Sequence, residues 1–124
     1  MSQKRPINLD LGSLTFPPMA IASILHRISG IVLFLLVPVM LYFLSLSLHS
    51  ADTFARLQTL LNACGYKFLL WAFGTAFIYH LLAGLRHIAM DLGWGEHLPA
   101  GRRSAVAVIV LAVVLAILLG VWVW

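Results

Sequence analysis

The chain has 124 residues, of which 62% are apolar and 10% charged, and its mean hydropathy is +1.01. Soluble domains carry about 25% charged residues, so this chain has too few charges to cover a surface that faces water. Eight scattered Lys and Arg residues against four Asp and Glu residues give a net charge of +4. This pattern argues against a nucleic-acid-binding surface and is typical of charges that orient a membrane protein. We therefore predict a single all-α integral membrane domain over residues 1–124.

Three apolar stretches are long enough to cross a bilayer. A polar tail, 1–18, precedes them and lacks the apolar core of a secretory signal peptide. The predicted transmembrane helices are 19–48, 66–91 and 104–124, and a span needs roughly 20 apolar residues. Pro38 is expected to kink the first helix. The loop after it has helical apolar spacing, which favours a short interfacial helix.

The Lys and Arg residues are distributed unequally across the predicted membrane. Six lie on the side of the N-terminus and the second loop: Lys4, Arg5, Arg27, Arg86, Arg102 and Arg103. Only Arg56 and Lys67 lie on the other side. The positive-inside rule then predicts a cytoplasmic N-terminus and a periplasmic C-terminus.

The second span contains a histidine far from either membrane surface. His80 lies 13 residues after Lys67 and 11 before Asp91, which places it near mid-membrane at about 1.5 Å per residue. Ionisable groups at this depth are costly and indicate function, and a neutral imidazole is a natural axial ligand of haem iron. Gly84 and His87 follow on the same face, where the glycine leaves space for a flat ligand. A histidine bonded to a neighbouring helix and a proton relay in a small transporter remain open as interpretations.

No second histidine of the chain is expected to ligate the same iron. His87 lies about 10 Å from His80 along one helix face, so the two cannot take opposite axial positions. His26 and His49 are predicted near opposite membrane surfaces, at depths that do not match His80. A sixth ligand is therefore expected from another polypeptide.

A second polar group lies in segment 23–30, with the sequence SILHRISG. Ser23, Arg27 and Gly30 share one helix face, and His26 lies beside them. A hydroxyl, an imidazole and a guanidinium at the membrane edge could bond the carbonyls of a quinone or the propionates of a haem. A purely structural role, with Arg27 snorkelling and Ser23 packing against a helix, is equally open.

The predicted topology places both groups at one depth. The first span starts and the second ends on the cytoplasmic side, so Arg27 and Arg86 are expected at similar depth. A haem ligated by His80 would extend towards that surface. Its carboxylates would there meet four potential donors, Arg27, His26, Arg86 and His87.

These motifs resemble those of the cytochrome b membrane-anchor subunits (C subunits) of succinate dehydrogenase, respiratory complex II. One signature is RPINLDL at 5–11, followed by SILHRISG at 23–30. The other is His80, followed by GLRH at 84–87 and MDLG at 90–93. The number of spans and the loop lengths agree as well, so the resemblance covers nearly the whole chain.

The resemblance implies a role for each of these residues. His80 would be one axial ligand of a haem b, and the second anchor subunit (D) would supply the other. Ser23 and Arg27 would help to form a ubiquinone site. The haem propionates would be bound by His26, Arg27, Arg86 and His87. Asp91 matches the acidic position of the second signature, near the quinone site or a docking surface.

The resemblance also implies partners and a location. The flavin and the iron–sulfur clusters would belong to a flavoprotein and an iron–sulfur subunit, because a single cysteine cannot ligate a cluster. The chain alone would then be a non-flavin subunit of an oxidoreductase in a bacterial inner membrane. The alternatives are an anchor of fumarate reductase and a small proton-coupled transporter.

Overall fold

The computed structural model describes residues 17–124. The predicted cytoplasmic tail, with Lys4, Arg5 and the signature at 5–11, lies almost entirely outside the described residues. The described part consists of four α-helices: α1 (Pro18–His49), α2 (Ala51–Leu61), α3 (Cys64–Asp91) and α4 (Leu98–Val123). Three of them, α1, α3 and α4, are long and apolar enough to cross a membrane. The prediction of an all-α protein with three membrane-spanning helices is confirmed.

The helix boundaries follow from local sequence. α1 starts directly after Pro17 and has Pro18 in its first turn, where the missing N–H of proline removes no helical hydrogen bond. Pro38 lies inside the continuous helix. α4 begins at Leu98, six residues before Ser104, because Pro99 also suits a first turn.

The short helix α2 connects the first two spans. Ser50 and Thr53 form a reciprocal capping box at its start, in which each side chain accepts a hydrogen bond from the other residue's backbone N–H. Its apolar residues lie on one side and Leu57 is buried. The element matches the short amphipathic helix that the spacing in this loop favours.

The packing of the three long helices uses small residues inside and large ones outside. The residues with the least exposure are alanines on each helix: Ala22, Ala83 and Ala105 are at most 1% exposed. Phe34 and Trp122, by contrast, are 79% and 83% exposed. This arrangement suits a lipid solvent, in which small residues let helices approach closely and large apolar side chains face the acyl chains.

Candidate functional site

The site is built around the imidazole of His80, which α3 directs towards α1. Its Nδ1 lies 3.0 Å from the Ser29 hydroxyl and 3.2 Å from the backbone carbonyl of His26. Ser29 is buried and donates its own hydroxyl hydrogen to the same carbonyl, at 2.8 Å. The ring of His80 is thus held through one nitrogen by two atoms of α1.

Two further histidines extend the site. The rings of His26 and His80 are stacked, with centroids 4.1 Å apart and planes 10° from parallel. The ring of His87 meets that of His26 edge to face, with centroids 5.2 Å apart. His26, His80 and His87, which we call the histidine cluster, therefore form a continuous row between α1 and α3.

The expectation that His26 lies too shallow to match His80 is wrong. The expectation placed His26 near the surface because the continuous apolar stretch of this span begins only after Arg27, although the helix itself starts at Pro18, within one residue of its predicted start. His26 is therefore about 12 Å along α1, and His80 about 16 Å from the opposite-running end of α3 at Asp91. The two rings are stacked face to face. Their nitrogens therefore do not point at one metal ion from opposite sides.

Two glycines, Gly30 and Gly84, lie against the histidine cluster. A Cβ at Gly30 would lie 3.3 Å from Cε1 of His80, closer than such contacts usually come. A Cβ at Gly84 would lie 3.9 Å from Nε2 of His26, an ordinary contact distance. The close approach of α1 to the His80 ring thus depends on Gly30 more than on Gly84.

Ser23 and Arg27 lie on α1 directly beside the histidine cluster. Ser23 is half-buried, whereas Arg27 is exposed on the surface of the chain. An exposed guanidinium one residue from His26 can interact with a ligand or a partner outside the three-helix bundle. The sequence-predicted quinone residues therefore lie on α1 next to the histidine cluster.

The structure does not bring Arg86 to the histidine cluster. Its guanidinium is buried against α4, where Nε donates to the Ser104 hydroxyl at 3.0 Å and Nη2 donates to the Gly101 carbonyl at 3.2 Å. At about 100° per residue, Arg86 lies some 120° around α3 from His80 whereas His87 lies about 20° away. Arg86 thus links α3 to α4, and His87 alone of this pair lies beside His26.

An apolar cavity of about 360 Å³ lies between the three long helices. Ser29 and Tyr79 contribute to its lining, but His80 does not. A large group bound to His80 would consequently lie at the outer side of the bundle and not in this cavity. Such a position is suited to a ligand shared with another chain.

Sequence reasoning missed two polar residues of this region. Ser29 was not assigned a role, although a serine three residues after His26 on an otherwise apolar helix is a signal for a local hydrogen bond. Tyr79, adjacent to His80, is buried and donates from its hydroxyl to the Ala22 carbonyl at 2.6 Å. Both join α1 to α3 beside the histidine cluster.

The fold and the histidine cluster define a small multi-pass membrane protein with a polar site between its first two spans. The family model described as the succinate dehydrogenase/fumarate reductase transmembrane subunit matches residues 1–119. The chain belongs to this family, and the predicted resemblance to succinate dehydrogenase cytochrome b anchor subunits is confirmed.

Individual relatives agree with the family match. A succinate dehydrogenase cytochrome b556 subunit from Coxiella burnetii is 50% identical over 125 aligned positions, covering 100% of both chains. Proteins of the same name from Rickettsia typhi and Paracoccus denitrificans are 37% and 33% identical. These alignments cover 80% and 92% of this chain, and 77% and 88% of the respective relatives.

Proposed function

We propose that this chain anchors a succinate:ubiquinone oxidoreductase in the membrane, holds a haem b jointly with a second anchor subunit, and contributes to the ubiquinone-reduction site. The observation that carries the proposal is the imidazole of His80, held inside a membrane span through Nδ1. The relatives are named succinate dehydrogenase cytochrome b556 subunits, which supports both the enzyme and the b-type haem of this proposal. Their bacterial sources support an inner-membrane location.

The residues around His80 fit a haem. Among the hydrogen bonds of residues 17–124, those of the His80 ring end on Nδ1, so Nε2 is the nitrogen that would hold the iron of a haem. Within the described residues, His26 stacks face to face on His80, so these two imidazoles could not hold one iron from opposite sides. A partner chain at the outer side of the bundle would supply the other axial ligand. Bound in this way, a haem b supplies one-electron redox chemistry.

Cationic and donor groups for the haem carboxylates lie beside His80. His26 and His87 belong to the histidine cluster, and Arg27 follows His26 on α1. An arginine binds a carboxylate through two parallel N–H groups, and an imidazole N–H donates one. Arg86 enters the proposal differently: its buried bonds to α4 make it a link that holds α3 in place.

The same end of α1 supports quinone binding. The exposed guanidinium of Arg27 can stabilise negative charge that develops on a quinone oxygen, and the Ser23 hydroxyl can orient that oxygen by a hydrogen bond. Both residues lie on one helix face, one turn apart. Because Arg27 faces outwards, the quinone would be enclosed only when partner subunits cover this surface.

A direct test is to purify the assembly from membranes through a tag on this chain. We expect a flavoprotein, an iron–sulfur subunit and a second membrane anchor to co-purify, and the dithionite-reduced complex to show a b-type haem absorption band. Succinate should drive ubiquinone reduction in this preparation. A complex without haem or without succinate oxidation would overturn the proposal.

The quinone part is tested by Arg27→Ala. We expect ubiquinone reduction by succinate to fall at least tenfold, the cost of about 1.4 kcal/mol of lost charge stabilisation, because the substitution removes the guanidinium that would stabilise the charge on the quinone oxygen. Succinate oxidation measured with an artificial dye should be kept, since the flavin site is on another subunit. Arg56→Ala, at the opposite end of the bundle, is the matched control. Normal ubiquinone reduction by the Arg27→Ala complex would contradict the assignment.

A further inference from the structure

We propose that Ser29 is a positioning residue that fixes the tautomer of His80, so that Nδ1 carries the hydrogen and Nε2 presents its lone pair. The hydrogen-bond argument is independent of any ligand. What the lone pair binds, a haem iron, rests on the proposed function. No motif in the sequence assigns a role to this serine.

The first step concerns the single hydrogen of the Ser29 hydroxyl. It is donated to the His26 carbonyl at 2.8 Å, within the same helix. A serine hydroxyl has one hydrogen and two lone pairs. Towards Nδ1 of His80, 3.0 Å away, Ser29 can therefore only accept. Nδ1 must be the donor.

The second step uses the His26 carbonyl, which lies 3.2 Å from the same Nδ1. A carbonyl oxygen has no hydrogen to donate, so this contact also requires an N–H at Nδ1. Both acceptors on α1 thus require a hydrogen on Nδ1. In a neutral imidazole the other nitrogen, Nε2, then carries the lone pair. This is the protonation pattern that a metal-ligating histidine needs at Nε2.

The position of the ring is fixed from two more sides. His26 covers one face of the His80 ring by stacking, and the backbone of Gly30 leaves only the space of a hydrogen near Cε1. The ring therefore cannot rotate freely to bring Nε2 to the position that Nδ1 occupies. Segment 26–30 of α1 acts as a cradle for this imidazole.

An acceptor on Nδ1–H makes the imidazole a more basic ligand, and such partners change metal affinity by roughly 10- to 100-fold. A more basic axial ligand stabilises ferric over ferrous iron. Removing the Ser29 acceptor should therefore raise the midpoint potential of the haem and weaken its retention. Because the His26 carbonyl can still accept a hydrogen bond from Nδ1, both changes should be partial.

The experiment compares purified complexes carrying Ser29→Ala, Ser29→Thr and, on the same helix, the exposed Ser45→Ala. The haem midpoint potential is measured by redox titration and the haem content per chain by its reduced spectrum. We expect a higher potential and faster haem loss for Ser29→Ala, and near wild-type values for the other two. Ser29→Cys, which keeps the volume but accepts hydrogen bonds weakly, should follow Ser29→Ala and serves if the alanine variant does not assemble.

The outcomes separate this inference from the proposed function. An unchanged potential and haem content in both Ser29→Ala and Ser29→Cys would overturn the role of Ser29. An equal shift in Ser29→Thr would also overturn it, because packing and not the hydroxyl would then be responsible. If His80→Ala kept one haem per chain with an unaltered spectrum, the proposed function itself would fail. Loss of haem or a changed b-type band in His80→Ala, together with unchanged Ser29 variants, would reject the role of Ser29 alone.

Discussion

At the scale of single residues, polar side chains tie α1 to α3 beside the histidine cluster. Tyr79 is 7% exposed, and its hydroxyl donates to the Ala22 carbonyl at 2.6 Å. In a lipid environment, a hydroxyl that loses its partner finds no water to replace it. The bond therefore stabilises the helix pair that carries His26 and His80.

Tyr79→Phe removes this bond and keeps the ring. We expect a loss of about 1 kcal/mol in the stability of the complex, the usual net value of one hydrogen bond, seen as a lower apparent Tm in detergent. Tyr42→Phe is the control, because Tyr42 is 58% exposed and lies on α1. Equal melting temperatures of the Tyr79→Phe and Tyr42→Phe complexes would show that the bond to Ala22 contributes nothing.

The sequence predicted the members of the site better than their contacts. His80 was identified by its depth alone, because a charge-bearing group inside an apolar span is rare. The stacking of His26 on His80 was not predicted, because the depth of His26 was inferred from the apolar residues that follow Arg27 and not from the start of the helix, which was predicted to within one residue. The burial of Arg86 against α4 was not predicted, although helix periodicity separates Arg86 from His87 by about 100°.

At the scale of helices, the contact between α3 and α4 depends on a buried arginine. The guanidinium of Arg86 is 8% exposed and bonds Ser104 and the Gly101 carbonyl. Ser104 donates its hydrogen to the same carbonyl at 3.0 Å, which leaves its lone pairs free to accept from Arg86. The three groups form a small network at the N-terminal end of α4.

Ser104→Ala tests this network. The substitution leaves a buried N–H of Arg86 without its acceptor, at an expected cost of about 1–3 kcal/mol. The apparent Tm of the complex in detergent should fall, whereas Ser45→Ala, at an exposed position of α1, should leave it unchanged. A Ser104→Ala complex as stable as the wild type would mean that the Ser104 hydroxyl contributes nothing to the burial of Arg86.

The three spans were predictable because long apolar stretches have few alternatives in lipid. The start of α4 was less predictable, since 98–103 contains two arginines and a proline and resembles a loop by composition. The structure shows these residues in the first turns of the helix, with Gly101 buried. The Gly101 carbonyl accepts a hydrogen bond from Arg86 of α3. This contact supports a helical conformation of 98–103 that its composition does not indicate.

At the scale of the whole molecule, orientation in the membrane remains a prediction from charge. The single cysteine offers a test, because Cys64 is exposed and starts α3 at the end predicted to be periplasmic. A membrane-impermeant maleimide should label it in spheroplasts and fail to label it in sealed inverted vesicles. A Cys64→Ser, Arg102→Cys variant should give the reverse result. The opposite labelling pattern of both chains would place the N-terminus in the periplasm.

The central claim is that His80 ligates a haem at the outer side of the bundle, and the haem content of purified His80→Ala complex tests it most directly. Haem per chain is measured from the reduced absorption spectrum, with His49→Ala as control, because His49 is exposed at the far end of α1. We predict that His80→Ala loses most of its haem or shows a changed b-type band, and that His49→Ala keeps both. A His80→Ala complex with one haem per chain and an unaltered spectrum would contradict the claim.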